Sequence, residues 1–205
     1  MLQLRGLTTL MSSGNKYCKR STQDTKKQQK IIKTILNKNH PKKVCILMGS
    51  PNDYRKMQDS KFMLDTLGIE NEIKVLSAHR QPTEVAELAE NAREDGYVAF
   101  ICGAGMAAHL AGAVSSHTTL PVVGVPLSGS ALNGVDALYA TVQMPRGIPV
   151  ATVAIDNSTN AAILVAQMLA ITDQTIEKKL EIIRKKTRDQ YNDIELPTSD
   201  NKPHV

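Results

Sequence analysis

Glu72-Ile73-Lys74-Val75-Leu76-Ser77-Ala78-His79-Arg80-Gln81-Pro82-Thr83-Glu84 changes character twice along its length. Glu72 to Leu76 alternates polar and apolar side chains, the period of a strand. Pro82-Thr83-Glu84 opens a helix, because proline's fixed φ suits the first helical turn and its missing N–H would have had no partner there. Between the two, Ser77-Ala78-His79-Arg80 places a hydroxyl, an imidazole and a guanidinium on one strand-to-helix loop. Strands that feed helices in this way build α/β sheets, and in open sheets of that kind ligands bind beyond the carboxyl ends of the strands, where such loops lie. An imidazole there can move a proton at neutral pH. A guanidinium beside it can hold a phosphate or carboxylate. The competing reading of His79 is a loop residue that only caps or meets solvent.

Working outward, the same alternation of strand and helix recurs. Val44-Cys45-Ile46-Leu47-Met48 is a continuous apolar run, as expected of a strand buried on both faces. Gly49-Ser50-Pro51-Asn52-Asp53 is the loop after it, and a helix then runs to Leu67 with Met57, Leu64 and Leu67 on one face and Gly68 just past its end. The helix that begins at Pro82 carries Val85, Leu88, Ala89 and Ala92 at helical spacing and ends near Gly96. Tyr97 to Ile101 is a third strand, running into Gly103-Ala104-Gly105; Pro121 to Val125 is a fourth, opening into Ser128-Gly129-Ser130; Pro149 to Ile155 is a fifth. Asn157 to Ala170 is an alanine-rich helix. Thr172 or Asp173 caps a last helix whose apolar stripe is Ile176, Leu180 and Ile183. That stripe packs either on its own domain or on a partner subunit. Five strands alternating with helices at about 25-residue spacing imply a parallel sheet with right-handed crossovers.

The chain has 205 residues and a formal charge of +5 that is unevenly spread. Residues 1–43 hold eleven Lys/Arg and one acid, a net of +10, whereas 44–205 hold fourteen Lys/Arg and nineteen acids, a net of −5. The folded part is therefore mildly acidic, which argues against a nucleic-acid-binding domain. Residues 1–42 read as a basic extension without a clean apolar period, apart from a short helix over 28–37; a transit peptide, or a start codon ahead of a true start at Met11, are the other readings. Residues 43–192 form the domain and 193–205 a tail. No run of about eighteen apolar residues occurs, so no membrane helix is expected. Cys18, Cys45 and Cys102 lack metal-ligand spacing, and the latter two sit in or beside apolar runs as expected of buried hydrophobes. Neither His-x-x-His nor Cys-x-x-Cys occurs, so no metal is expected.

Other loops offer candidates of their own. Ser50 and Asp53 flank a helix start, where both residue types cap well; a serine hydroxyl can also bind phosphate, and an aspartate can accept from ribose hydroxyls. Gly103 and Gly105 can present backbone N–H groups to an anion, although Gly-Ala-Gly also arises wherever backbones pack closely. His109 follows four residues later, with burial in the core as its alternative. The third glycine of a dinucleotide fingerprint is absent, with Ala108 in its place, which leaves only that fingerprint's alanine variant open; no Gly-Lys-Ser/Thr occurs, which disfavours a P-loop.

Gly49-Ser50, Asp53, Ser77-Ala78-His79-Arg80, Gly103-Ala104-Gly105, Ala107-Ala108-His109-Leu110, Gly124-Val125-Pro126, Gly134-Val135-Asp136 and Gln143-Met144-Pro145 occur in that order. Together, over roughly residues 43–190, they resemble the N5-carboxyaminoimidazole ribonucleotide mutases, the class I enzymes of bacterial purine synthesis. The resemblance implies a three-layer flavodoxin-like (Rossmann-like) α/β fold with a parallel sheet and a C-terminal helix, a homo-octamer, and a cytoplasmic isomerase with no metal, flavin or nucleotide cofactor. Its partner would be a small ribonucleotide, with no nucleic acid and no membrane. It assigns His79 as the catalytic acid/base, and Ser50, Asp53, Ser77 and Arg80 to the substrate. Gly103, Gly105 and His109 would line the carboxylate pocket, and Gln143-Met144-Pro145 would approach from a neighbouring subunit. Three positions depart from the pattern. Asn52 stands for a serine, Ala111 for a proline, and Met106 for a glycine, so the backbone at Met106 is expected to avoid positive φ. The alternatives are the sister carboxylase, which takes free CO2 and whose loop has Lys where this chain has Arg80, and a non-enzymatic flavodoxin-like nucleotide-binding module.

Overall fold

The computed structural model describes residues 42–192. The expected helix over 28–37, the rest of the basic stretch before Lys42, and the tail at 193–205 lie outside the described residues. Five strands, β1 (Lys43–Met48), β2 (Glu70–Val75), β3 (Tyr97–Gly105), β4 (Val122–Leu127) and β5 (Ala151–Thr152), alternate with helices α1 (Tyr54–Leu67), α2 (Pro82–Asn91), α3 (Leu110–His117), α4 (Val135–Val142) and α5 (Ser158–Ala170), and α6 (Gln174–Asn192) closes the described chain. All strand pairs are parallel, in the order β2-β1-β3-β4-β5. That is the flavodoxin-like order, with helices covering both faces.

The apolar run of β1 follows from its place in the middle of that sandwich. Val44, Ile46 and Met48 belong to one core with Met57 and Leu64 of α1 and Ala161 and Val165 of α5. Cys45 and Leu47 point the other way, into a second core with Val85 and Ala89 of α2 and Val114 of α3. Each such fully buried aliphatic side chain contributes about 1.5–3 kcal/mol. Cys45 and Cys102 are buried, and burial pushes the Cys45 thiol up to about 12 and the Cys102 thiol well above its ordinary value, so both act as packing groups.

Helix ends follow local rules. Gly68 ends α1 in the left-handed region at φ 72°. The Asn157 side chain accepts from Asn160 N at 2.9 Å to open α5, and Asp173 Oδ1 accepts from Thr175 N at 2.9 Å to open α6. The stripe of α6 packs on its own chain: Leu180 is buried, Ile176 and Ile183 lie against the same core as α1 and α5, and Lys179 Nζ donates to Leu67 O at 2.8 Å. Of the two readings of that stripe, packing on its own domain is the one these contacts show, with Ile176 and Ile183 half-buried.

Three elements differ from expectation. The strand expected over Pro149–Ile155 is only Ala151–Thr152. It has one neighbour, β4, and beyond Thr152 the chain leaves the ladder while still donating from Val153 N to Gly124 O and from Asp156 N to Pro126 O. Strand β3 is longer than expected and takes in Gly103-Ala104-Gly105. Helix α4 is additional to the expected elements; its apolar residues Val135, Tyr139 and Val142 are exposed, and its buried positions are Ala137 and Thr141. Among the described residues no helix is long and apolar enough to cross a membrane.

Candidate active site

The strand order reverses between β1 and β3, so the connections after these neighbours leave toward opposite faces and open a crevice at their carboxyl ends. A cleft of about 600 Å³ fills it, walled by the loops after β1, β2, β3 and β4. A larger hollow, about 900 Å³, lies around the start of β4 near Glu90, Arg93 and His117 and touches none of the candidate residues; all of them except Gly103 line the smaller one.

From β1, Ser50 caps the short 3-10 turn Pro51–Asp53, its Oγ accepting from Asn52 N at 3.2 Å. Asp53 stands at the start of α1 without making a side-chain cap. Its carboxylate is therefore left to the cleft. Burial raises it above its ordinary 3.8, opposed by a backbone hydrogen bond from Ser50 and by the charge of Lys56.

From β2, the loop is a tight turn. Gln81 N and Arg80 N both donate to Ser77 O, at 2.7 and 3.1 Å, and Ser77 N donates to Gln81 Oε1 at 3.3 Å. The turn lifts His79 and Arg80 to exposed positions on the cleft rim, with Ser77 half-buried beneath them.

From β3 comes the other imidazole. His79 Nε2 and His109 Nδ1 are 2.7 Å apart, with the rings edge-on at 83° and centroids 5.0 Å apart. An N···N approach of that length holds one hydrogen between the nitrogens, so one ring donates and the other accepts. His109 is exposed to the cleft, which overturns its core alternative.

The two glycines part company. Gly105 lines the cleft, whereas Gly103 is not among the lining residues. Gly103 is paired within the sheet to Val125 and Met48, and a Cβ on it would collide with the Met57 thioether. Its hydrogen is needed for close packing of α1 on the sheet, so an anion cradle there is not what the geometry provides. Met106, just beyond, has φ 55°, contrary to the expectation that it would avoid the left-handed region. The chain must turn sharply from the end of β3 toward α3, and that turn sets φ whatever the side chain; 62% of Met106 stays exposed. Gln143, Met144 and Pro145 follow α4 and do not line the cleft.

The fourth wall joins a loop marked in the sequence, Ser128-Gly129-Ser130, to a lysine that was not, Lys56. Ser128, Gly129 and Ser130 line the cleft after β4, and Lys56 of α1 reaches them. Burial alone would lift the Asp156 carboxyl, but hydrogen bonds from the Ser128 side chain and backbone and then from Lys56 hold it below its ordinary 3.8. Lys56 recurs one helical turn after Asp53, which is the only trace of it in the sequence. No three His, Cys, Asp or Glu side chains gather as a metal site among the described residues.

Comparison with known proteins adds a chemical context. The family model described as AIR carboxylase matches residues 43–190. The chain is 45% identical over 156 residues to the Escherichia coli (strain K12) protein named N5-carboxyaminoimidazole ribonucleotide mutase, covering 75% of this chain and 92% of that one. It is 41% identical over 180 residues to Schizosaccharomyces pombe phosphoribosylaminoimidazole carboxylase, covering 88% of this chain but 32% of that one. The crystal structure of Treponema denticola PurE aligns with a TM-score of 0.67 at 26% identity, over 73% of this chain and 94% of that one.

Proposed function

This chain belongs to the AIR carboxylase family, and on that footing we propose that it is an isomerase of purine biosynthesis that converts N5-carboxyaminoimidazole ribonucleotide to 4-carboxy-5-aminoimidazole ribonucleotide. The observation that best supports a proton-transfer site is the His79–His109 contact at the mouth of the switch-point cleft.

The substrate carries a carbamate on its exocyclic nitrogen. His79 donates a proton to that nitrogen, the N–C bond pair stays on nitrogen, and CO2 is released into the cleft. The electron-rich C4 then forms a bond to the same CO2. His79, now neutral, takes the C4 proton and the ring regains aromaticity. One proton is lent and returned, so a single acid/base suffices. Arg80, with Ser50 and Ser77, binds the phosphate, and Asp53 accepts from the ribose. Held remotely, the nucleotide keeps C4 and the carbamate in reach of the imidazole. Ala107, Leu110 and Gly105 give that end of the cleft small, uncharged walls, which limit water's access to the released CO2. Asn52 replaces a serine on the phosphate side; its amide can donate in the hydroxyl's place.

The reading extends to assembly and boundaries. The working form is a homo-octamer in the cytoplasm whose sites are completed by Gln143-Met144-Pro145 of a neighbour, which suits the position of that segment outside its own cleft. Light scattering that finds an active monomer would end that view. Residues 43–192 are the catalytic domain, and a chain beginning at Lys42 turns over like the full one.

The deciding experiment is turnover of the carbamate by purified protein without ATP or added bicarbonate. Labelled bicarbonate in the buffer should scarcely enter the C4 carboxylate in one forward turnover. If aminoimidazole ribonucleotide with CO2 is the far better forward pair, the protein is a carboxylase, the activity named for the Schizosaccharomyces pombe relative.

A further inference from the structure

Lys56 and Asp156 lie one hundred positions apart in sequence and meet at the cleft's fourth wall, Lys56 Nζ standing 3.1 Å from Asp156 Oδ1. Ser128 sits between them and is bonded on every side. Its N donates to Asp156 Oδ1 at 2.8 Å and its Oγ to Asp156 Oδ2 at 2.5 Å. Its carbonyl accepts from Lys56 Nζ at 2.8 Å, and its hydroxyl accepts from the same ammonium. Two of the ammonium's hydrogens go to the Ser128 carbonyl and the Ser128 hydroxyl, and its charge is paired with the Asp156 carboxylate. Lys56 therefore lines the cleft already engaged by Ser128 and Asp156.

The rest of the wall is pinned at its far end. Ser130 Oγ donates to Asp136 Oδ1 at 2.8 Å, while Gly129 between the two anchors has φ 116° and nothing within 4 Å of where a Cβ would be. The anchors themselves are tied to the core. Ser158 Oγ donates to Lys56 O at 2.5 Å, joining α1 to α5, and Asp156 N donates to Pro126 O at 2.9 Å, with Asp156 itself at φ 57°. Backbone in the left-handed region outside glycine persists only where its surroundings over-determine it.

We propose that Lys56 and Asp156 form a clamp on Ser128 that sets the Ser128–Gly129–Ser130 wall of the cleft, making Lys56 a positioning residue for the ribonucleotide rather than a ligand of it. The clamp has two effects. It pre-orders a loop that otherwise loses its freedom when substrate arrives, so its loss weakens binding and leaves the chemical step alone. It also hides one of the two Lys/Arg charges that line the cleft among the described residues, leaving Arg80 to direct the phosphate. The role in positioning rests on the nucleotide-binding reading above; the clamp itself does not.

The test uses the full chain with Lys56→Met, Asp156→Asn and the double variant. Asparagine tolerates the left-handed backbone, so Asp156→Asn removes charge without changing the turn. Hydrogen exchange on the free protein reads the clamp directly: amides of residues 128–134 exchange about tenfold faster in each variant, and the double is no faster than either single, as expected of one coupled unit. In turnover of the carbamate, KM rises about tenfold while kcat stays within about threefold. Unchanged exchange in both single variants, or fully additive effects in the double, overturns the clamp. Faster exchange with KM within about twofold of the parent overturns the positioning role. Should Lys56→Met fail to fold, Asp156→Asn reads the same two quantities. A parent protein that does not turn over the carbamate defeats the proposed reaction and leaves the exchange result standing.

Discussion

His79 Nε2 lies 2.7 Å from His109 Nδ1, although the two residues come from loops after different strands. The contact fixes which way each ring faces, because only one hydrogen fits between the nitrogens and the remaining nitrogens must turn elsewhere. His79→Asn should abolish turnover of the carbamate while ribonucleotide affinity stays within about tenfold, roughly 1.4 kcal/mol. The residues assigned to phosphate and ribose are other side chains, so binding and proton transfer separate. Substantial turnover by a folded His79→Asn protein would sink the assignment; equilibrium binding beside a turnover assay decides it.

Gly103→Ala should destabilise the fold by about 1–3 kcal/mol, the usual cost of overpacking. An added Cβ would lie 2.9 Å from Met57 Cγ and 3.0 Å from Met57 Cε, closer than carbon atoms approach, in a core where α1 is also held by Leu64 and Leu67. Denaturant melts of the two proteins are the measurement. Equal midpoints would mean that Met57 swings aside freely.

Met106→Gly should stabilise by about 0.5–1 kcal/mol, because a left-handed backbone costs a side-chain-bearing residue about 1–2 kcal/mol and glycine gives back part of that gain in unfolded-state entropy. The side chain is 62% exposed, so little packing is lost. A lower thermal midpoint for the glycine variant would show that Met106 makes contacts worth more than its strain.

Acid should weaken the fold partly through Glu72. The hydrogen bond from Lys74, then those from Tyr97 and Lys43, pull its carboxyl from 4.5 down to about 2. The folded value lies below the unfolded one, so between them the unfolded chain binds more protons. The contribution is present in full above about pH 4.5 and is lost as pH falls through about 2. The side chain is 40% exposed, so solvent screening reduces the effect. Thermal midpoints from pH 5 to pH 2 should fall less steeply in Glu72→Gln than in the parent, and parallel curves would remove Glu72 from the account.

How much of this was legible in the chain depends on how local each cause is. The run Val44–Met48 reads as a doubly buried strand because any position in the middle of an α/β sandwich imposes the same demand. Gly68, Asn157 and Asp173 mark helix ends because capping is satisfied within a few residues. The loop Ser77–Arg80 announces itself because strand, polar turn and Pro82 are contiguous. These features belong to short segments, and sequence alone fixes them, as it does the motif order that points to the family.

What folding decided lies between segments. Whether Gly103 serves a ligand or makes room for Met57 depends on where α1 crosses the sheet. Whether His109 is core or cleft depends on how far β3 runs before it turns, and the same turn forces Met106 into the left-handed region. The extent of β5 is set by having β4 on one side only. The α6 stripe found its cover in α1 and α5 of its own chain. Lys56 and Asp156, each unremarkable in its own segment, become partners only when β4 brings Ser128 between them. Capping and periodicity act over a few residues and are written in the chain, whereas contact across the sheet requires loops to close over long separations, and only the packed structure specifies which distant groups then share a hydrogen bond.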